Sequence, residues 1–544
     1  MNHIFIFNNA SRAAGYGIGT YIRQLSEGLS SLDDIKISFV EMYADTKEFS
    51  VNTDEHGRIH YLVPPLNTQA ESETYCRIIF YFLARHIEVE KDDNLIFQFN
   101  YFQHYPLALL LKAHFTNSSI VLTVHYLSWC FELKGNVKRM REILSEKHQP
   151  IDDTEKRIQL SFTEEKKFLH LADVVLVLSQ NTKDILVLDY QVSEDKLYLV
   201  YNGMENGICI ESSLGNPKPH ILQHNILYVG RLDEIKGVKY LIKAFEQIAD
   251  KYPNTHLLLA GDGDFQPYLA QSRKLIGRIT FLGKILNEDI EETYQSAYIG
   301  VSPSFHEQCS YTVIEMMRHG IPVVGTDSTG LSEMFDTTPE LRVHIEEEKF
   351  DENEFVSQIV SRIDRLLSDH LYYQLASNQV CKLYLERYTL DAMLMGTQYA
   401  LHTGLSKARH HISSDFLSHI DTRMVTLINQ HPDIDMDFYG LSGIGIYLWW
   451  RVLQLEKEKE DTTCQLALIK EHLIYYLDWV EEVLENEPMS AELLSTLESM
   501  GQHLFYPTQV EKLLAQSQLE HPTARIPSEQ EILHNALKIC TCKI

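Results

Sequence analysis

The sequence predicts two α/β domains with doubly wound parallel sheets, followed by an all-helical region. Short apolar runs that end in glycine or polar residues alternate with amphipathic helices up to about residue 405, and this alternation is typical of parallel sheets covered by helices. Beyond about Ser406 no strand alternation remains. The length of 544 residues exceeds the roughly 250–300 at which a single core stops growing, so several domains are expected.

Composition limits the class of partner and the expected location. The formal net charge of −28 argues against a nucleic-acid partner, because phosphate binding requires clustered Lys and Arg. No N-terminal targeting segment and no membrane-spanning apolar run is visible in the sequence, so a cytoplasmic location is expected. One basic cluster is a candidate for contact with a membrane surface or with an anionic acceptor. Acidic residues follow its members in the sequence, and they favour a face that is exposed to solvent. The cluster consists of Lys134, Lys138, Arg139 and Arg141.

The first α/β domain is predicted at residues 1–210. It begins with a strand at 3–7, a glycine-rich turn that includes Gly17 and Gly19, and a helix through Leu29. This order places a phosphate at a helix N-terminus, and glycines let the backbone approach a ligand closely. Further strands are predicted at 35–43, 59–63, 95–99, 120–124, 172–179 and 197–200, with helical stretches at 75–87 and 134–167.

His125 directly follows the predicted strand at 120–124. A polar residue at the carboxyl end of a parallel strand lies where open α/β sheets bind ligands. The alternative is a partly buried histidine whose ring bonds to backbone. The position favours a functional role.

A linker is predicted at 211–222 and a second α/β domain at 223–385. Its strands end at Gly230, at Gly261, at Gly283, at the loop after residue 301 and at Gly325. Arg231 and Lys236 follow the first of these strands. Two cations there suit a diphosphate, because the Arg guanidinium donates paired hydrogen bonds and the Lys ammonium acts as a point charge. The alternative is that both residues are ordinary surface charges.

The most informative stretch is 302–315, which places Glu307 in a polar loop and Glu315 eight positions later. Residues 311–319 are predicted to form a helix. A helix N-terminus supplies unpaired N–H groups and a favourable field for an anion. A carboxylate on the first turns accepts hydrogen bonds, which suits a hydroxyl-rich ligand.

The remainder of the chain is predicted to be helical. A closing helix is expected at 386–405, followed by a helical accessory domain at 406–544. Amphipathic helices in that domain are predicted at 415–429, 443–457, 465–485 and 491–504.

These motifs together resemble a retaining glycosyltransferase of family 4, group 1, over roughly residues 1–405. The resemblance implies the GT-B fold, in which two Rossmann-like domains face a cleft. Its most specific part is Glu307-x7-Glu315 followed by Gly320-Ile-Pro. Supporting motifs occur in the right order: Gly230-Arg231, Lys236-Gly237, Gly261-Asp-Gly263, Asn202-Gly203 and Thr123-Val-His125. Residues 16–21 look like the family's Gly-Gly-Ile-Gly-Arg-Tyr, with Tyr16 and Thr20 as departures.

The resemblance implies roles for individual residues. Glu315 would accept hydrogen bonds from the ribose of the nucleotide, and Glu307 would hold hydroxyls of the donor sugar. Arg231 and Lys236 would neutralise the leaving diphosphate, so no metal and no cofactor besides the nucleotide-diphosphate sugar is expected. The amides after Glu307, at Cys309, Ser310 and Tyr311, would lie against the donor sugar, and Gly230 and Gly261 would also bind the donor. Gly17 and Gly19 would bring the N-terminal helix close to the phosphate or the acceptor. His125 would face the donor sugar, and transfer would retain the anomeric configuration.

Two departures from the family pattern bear on specificity. The family's Gly-Phe-Gly after the first Glu is replaced by Gln308-Cys309-Ser310, whose larger side chains are expected to narrow the donor-sugar pocket. The helical accessory domain is also unusual. Its Gly440-Leu-Ser-Gly-Ile-Gly resembles a repeat of lanthionine-cyclase-like domains, and the N-terminal loop looks like a bacterial subgroup associated with peptide natural products. The acceptor is therefore expected to be a peptide held partly by this domain, or else a glycan or lipid-linked glycan.

Two other functions fit the same motifs. A sugar-nucleotide epimerase or a phosphorylase of the same fold is the first alternative, and isomerisation of the donor without an acceptor would identify an epimerase. A non-catalytic scaffold that binds sugar nucleotides is the second. A scaffold would bind nucleotide without ever turning the donor over.

Overall fold

The computed structural model describes residues 2–10, 17–30, 35–65, 72–87, 94–115, 118–145, 147–205, 224–285, 289–346 and 349–407. The predicted linker at 211–222 lies outside the described residues, as does the predicted helical accessory domain apart from its first two residues. The described part contains two parallel sheets with helices packed on them, which confirms the prediction of two Rossmann-like domains.

The first sheet has the strand order β3-β4-β2-β1-β5-β6-β7-β8. All neighbouring strands are parallel except β3 and β4, which are antiparallel. Most of its strands follow the apolar runs of the sequence, because parallel strands are covered on both faces. Their bounds are β1 Asn2–Asn9, β2 Ile35–Met42, β3 Ser50–Thr53, β4 Ile59–Leu62, β5 Asn94–Phe99, β6 Ser118–Val124, β7 Val174–Val177 and β8 Leu197–Leu199.

The second sheet has the order β11-β10-β9-β12-β13-β14 and is entirely parallel. Counted from β9, this is the 3-2-1-4-5-6 order of dinucleotide-binding folds, in which ligands bind where the order reverses. The reversal lies between β9 and β12. The bounds are β9 His224–Val229, β10 Thr255–Ala260, β11 Ile279–Gly283, β12 Ala297–Ser302, β13 Val323–Thr326 and β14 Arg342–Val343.

Helices connect the strands and cover the sheets. In the first domain they span Gly17–Leu29, Ser72–His86, Tyr105–His114, Trp129–Leu133, Val137–Ile143, Asp153–Leu171 and Gln180–Leu188. In the second domain they span Val238–Lys251, Gln266–Gln271, Ile290–Ser296, Tyr311–Arg318, Glu352–Ser368, His370–Arg387 and Leu390–Lys407.

The helical stretch predicted at 134–167 is broken in the structure. Lys134 and Gly135 have left-handed backbones, with φ of 52° and 78°, and they end the preceding helix. Asn136 and Asp152 then cap two new helices by accepting hydrogen bonds from the amides of Arg139 and Glu155. Side chains of this type favour helix starts over helix interiors.

The last described helix, Leu390–Lys407, returns to the first domain. It packs against helix Gly17–Leu29 and against β7 and β8. Gly404 lies so close to the first sheet that an added Cβ would be 2.5 Å from Val174 Cγ2. The chain therefore closes by joining its second domain to its first. No helix among the described residues is long and apolar enough to cross a membrane.

Candidate functional site

A cavity of about 330 Å³ lies between the carboxyl ends of the two sheets. Its walls come from both domains. The first domain contributes Gly17, Ile18, Thr20, His125, Leu178 and Asn202. The second domain contributes Tyr228, Val229, Gly230, Arg231, Lys236, Ala260, Gly261, Lys284, Ile285, Ile290, Ser302, Ser304, Glu307, Gln308, Cys309, Ser310, Tyr311, Thr312 and Glu315.

The two cations predicted for a diphosphate both line this cavity. Lys236 Nζ lies 2.5 Å from Glu307 Oε1, and both side chains are 18% exposed. Arg231 is more open, and its guanidinium lies 3.1 Å from Asp233 Oδ2. Each cation thus lies beside one carboxylate and lines the cavity.

Glu307 is held as an anion. Its burial opposes ionisation, but the Lys236 ammonium and His306 outweigh this and hold the pKa of the carboxyl below its ordinary value. Its backbone is fixed by Thr329, whose hydroxyl donates to the Glu307 carbonyl at 2.6 Å and lies 3.2 Å from the Glu307 nitrogen. Thr329 adopts φ of 40°, which is a strained conformation for a β-branched residue.

Glu315 lies on helix Tyr311–Arg318, at the opposite side of the same loop. Its carboxylate accepts a hydrogen bond from the Tyr294 hydroxyl. Burial raises the pKa of this carboxyl to about 7, against the lowering effect of the Tyr294 bond and of Arg318. The two acids that the sequence singles out therefore differ in protonation near neutral pH.

Gly230 and Gly261 bring two strand ends into direct contact. The Gly230 amide donates to the Ala260 carbonyl at 2.9 Å. A Cβ on Gly261 would lie 1.7 Å from the Gly230 carbonyl oxygen, and Gly261 has φ of 146°. Only glycine fits this junction, which forms the cavity wall beside Arg231.

His125 faces the cavity from the first domain. Its Nε2 lies 2.9 Å from Asn100 Oδ1, and its ring meets the Tyr21 ring edge to face at 4.7 Å. Burial lowers the pKa of His125 to about 3, so the ring is neutral near pH 7. A neutral imidazole held in this way is suited to hydrogen bonding rather than to charge compensation.

The residues after Glu307 form the loop into helix Tyr311–Arg318. Gln308 lines the cavity, but its carboxamide oxygen is bonded to Ser179 and Thr182 of the first domain. The Cys309 carbonyl accepts from Asn202 Nδ2 at 2.7 Å. The sequence predicted that Gln308 narrows the donor-sugar pocket. Gln308 does line the cavity, but the end of its side chain is bonded to the first domain.

The structure gathers the predicted site residues around this cavity, with one exception. Gly19 lies within helix Gly17–Leu29 and does not line the cavity, whereas Gly17 at the helix start does. Several lining residues were absent from the predicted site: Ile18, Thr20, Leu178, Asn202, Tyr228, Lys284, Ile285, Ile290, Ser302 and Ser304. Lys284 directly follows a predicted strand that ends in glycine, and this position was the sequence signal that indicated a place in the site.

Members of the basic cluster at 134–141 form ion pairs. Lys134 Nζ lies 2.8 Å from Glu234 of the second domain. Arg139 pairs with Glu142 and Glu155, and Arg141 with Asp189. For these three residues the structure favours the reading of a paired, structural face over that of an anion-binding patch.

Comparison with known proteins assigns both domains. A model described as Glycosyltransferase Family 4 matches residues 16–206, and one described as Glycosyl transferases group 1 matches residues 223–369. An uncharacterised glycosyltransferase of Methanocaldococcus jannaschii is 29% identical over 231 residues, which is 40% of this chain and 56% of that relative. The chain thus spans about half the length of the curated relatives it matches.

Solved structures support the same fold. Sucrose-phosphate synthase from Thermosynechococcus elongatus superposes with a TM-score of 0.57 at 21% identity, covering 75% of this chain and 100% of that one. The Anabaena protein HepE, solved with UDP and glucose, superposes with a TM-score of 0.53 at 14% identity, covering 74% of this chain and 99% of that one. The arrangement of two Rossmann-like domains is therefore the GT-B fold. With both domains matched in order and the cavity between them, the chain belongs to the group 1 glycosyltransferases of the family 4 type.

Proposed function

We propose that the protein transfers a sugar from a nucleotide-diphosphate sugar to an acceptor, with retention of the anomeric configuration and without a metal ion. The observation that carries this proposal is the cavity between the domains. It combines two cations, Arg231 and Lys236, with two acids of unequal protonation, Glu307 and Glu315. Such a set fits a ligand that has a diphosphate between two hydroxyl-rich ends.

For each part of the proposed donor, the cavity wall contains residues of suitable chemistry. Gly230 and Gly261 let the diphosphate approach the backbone at the strand ends, where the strand order reverses. Glu315, which lines the same cavity, would accept from ribose hydroxyls. Glu307 is anionic and fixed by Thr329, so it would accept from hydroxyls of the sugar.

The reaction breaks the bond between the anomeric carbon and the diphosphate oxygen, and it forms a bond from the acceptor oxygen on the same face. In this proposal the acceptor proton passes to the leaving diphosphate. Negative charge grows on that diphosphate, and fixed cations beside it lower the barrier because they need no reorganisation. Arg231 and Lys236 take this role, while neutral His125 hydrogen-bonds the sugar.

Metal independence is part of the proposal, because Arg231 and Lys236 supply the positive charge at the diphosphate. Turnover is expected to be unchanged after treatment with EDTA and after addition of Mg²⁺ or Mn²⁺. A loss of turnover in EDTA that either ion restores would contradict this part alone.

For the acceptor we propose a peptide, held partly by the accessory region 406–544, with a glycan or lipid-linked glycan as the other candidate. The support is the sequence pattern around Gly440, which lies outside the described residues.

A thermal-shift screen tests the donor assignment. A ligand that binds only the folded state raises its stability with the logarithm of ligand concentration over Kd, by about 2.7 kcal/mol at one hundred times Kd. One nucleoside diphosphate and its sugar conjugate are expected to raise the melting temperature above all others in a panel. A flat response to the entire panel would contradict the proposed function.

A further inference from the structure

Gln308 occupies a position where the family pattern has glycine, and its side chain reaches the opposite domain. Its Oε1 accepts a hydrogen bond from the Thr182 hydroxyl and lies 3.0 Å from Ser179 Oγ. All three residues are buried, at 6%, 0% and 0% exposure for Gln308, Thr182 and Ser179. Ser179 caps helix Gln180–Leu188 of the first domain by accepting from the Thr182 amide. The contact is therefore a buried, satisfied polar link between the domains.

A second link holds the same helix end. The Glu333 carboxylate accepts from the amides of Gln180 and Asn181, at 2.9 and 2.8 Å, and from the Tyr201 hydroxyl at 2.9 Å. An anion at a helix N-terminus is favourable because it satisfies unpaired N–H groups. Both links thus join the second domain to the start of one helix of the first domain.

The loop that carries Glu307 also carries the first link, because Gln308 is the next residue. Two residues after Glu307, the Cys309 carbonyl accepts from Asn202 Nδ2 of the first domain at 2.7 Å. Gly330, whose amide donates to the Glu307 carbonyl at 3.0 Å, has no space for a side chain. A Cβ there would lie 1.9 Å from the Gln308 carbonyl oxygen and 2.7 Å from Ser179 Cβ. The backbone of residues 307–309 is thus held from both sides.

The nucleotide end of the cavity is built differently. Gly230, Gly261 and Glu315 all belong to the second domain, and none of their hydrogen bonds described above crosses to the first. The hydrogen bonds that hold the Glu307 loop thus come from both domains, whereas those named for Gly230, Gly261 and Glu315 come from the second domain.

We propose that Gln308 is a positioning residue that couples contact between the domains to the placement of Glu307. When the domains meet, Thr182 and Ser179 fix the Gln308 side chain and with it the neighbouring Glu307. A glycine at 308 would leave that coupling to the backbone alone. This inference rests on the proposed function for its catalytic consequence, but the coupling itself is a property of the ligand-free protein.

The test compares Gln308→Gly, Thr182→Val and the double variant. Thr182 does not line the cavity, so Thr182→Val removes one of the two hydrogen bonds to Gln308 Oε1 without changing a residue of the donor loop. Thr397→Val is the matched control, because Thr397 is equally buried and its hydroxyl bonds within its own helix, to the Met393 carbonyl.

Amide hydrogen exchange of the ligand-free variants gives the first measurement. Loss of one neutral hydrogen bond is expected to raise the exchange of segment 304–311 about two- to tenfold. The increase should appear in both Gln308→Gly and Thr182→Val but not in Thr397→Val, and the double variant should equal Gln308→Gly. An unchanged segment 304–311 in Thr182→Val, or additive effects in the double variant, would overturn the coupling.

Binding of UDP and UDP-glucose and turnover of UDP-glucose give the second measurement. Both single variants should lower kcat, Gln308→Gly by the larger factor because it loses both hydrogen bonds, while the Kd for UDP stays at the wild-type value. A Thr182→Val variant with wild-type kcat would overturn the positioning role. If the wild-type protein turns over no sugar nucleotide, the proposed function fails, and the exchange measurement still decides the coupling.

Discussion

Glu315 differs from most carboxyl groups because burial raises its pKa to about 7. If it accepts hydrogen bonds from ribose hydroxyls, the bound nucleotide favours the ionised form and lowers this pKa. Binding below pH 7 should then release close to one proton, and affinity should rise about tenfold per pH unit up to pH 7. Calorimetry in two buffers of different ionisation enthalpy measures the release. It should vanish in Glu315→Gln, and proton uptake by the wild type would contradict the assignment.

Arg231 and Lys236 are the residues on which the barrier depends in the proposed reaction. Arg231→Ala or Lys236→Ala should each lower kcat by about 10²–10³, because a fixed charge beside the leaving group is lost. Both variants should still unfold cooperatively. Lys243→Ala is the control, since Lys243 pairs with Glu352 on the surface. Near-normal turnover in both variants would remove these cations from the mechanism.

The sequence was sufficient to identify individual site residues, but it did not predict which residues contact each other. The spacing of Glu307 and Glu315 and the position of Lys236 were sufficient to propose a site. The ion pair between Lys236 and Glu307 joins residues 71 positions apart, and no local pattern encodes such a pair. The link from Gln308 to Thr182 spans 126 positions and depends on how the two domains meet.

The junction of the β9 and β10 ends gives a prediction for an element. Gly261→Ala would place a Cβ 1.7 Å from the Gly230 carbonyl oxygen, which neither strand end can avoid without moving. We expect a loss of unfolding free energy of at least about 3 kcal/mol and loss of nucleotide binding. Gly277→Ala is the control, because Gly277 has φ of 81° but no neighbour within 4 Å; it should cost about 1 kcal/mol. Equal stability of the two variants by urea denaturation would contradict this account.

Strands with a clear apolar run were predicted well, and elements without a clear apolar or helical pattern were not. Val174–Val177 and Thr255–Ala260 followed from their apolar runs. Strands Ser50–Thr53 and Arg342–Val343 were not predicted, because they have no apolar run. Helix Tyr105–His114 was not predicted either. It is apolar along most of its length, so helical periodicity is weak there.

For the whole molecule, the closing helix defines where the accessory region begins. Helix Leu390–Lys407 packs on the first domain, so a chain that ends at residue 409 keeps this contact. Deletion of 410–544 should leave nucleotide binding unchanged and weaken binding of a peptide acceptor. Affinity for a labelled peptide panel, before and after deletion, measures this. Unchanged binding and modification of every candidate peptide would exclude a role of the region in holding the acceptor.

If the cavity between the domains transfers a sugar with retention, the first product keeps the anomeric configuration of the donor. Proton NMR of the protein incubated with an α-linked sugar nucleotide tests it most directly, since even slow hydrolysis without an acceptor reveals the anomer formed first. We predict release of the nucleoside diphosphate together with an α-configured sugar before it equilibrates. A β-configured first product would contradict retention, isomerised donor would indicate an epimerase, and an intact donor across the panel would indicate a non-catalytic scaffold.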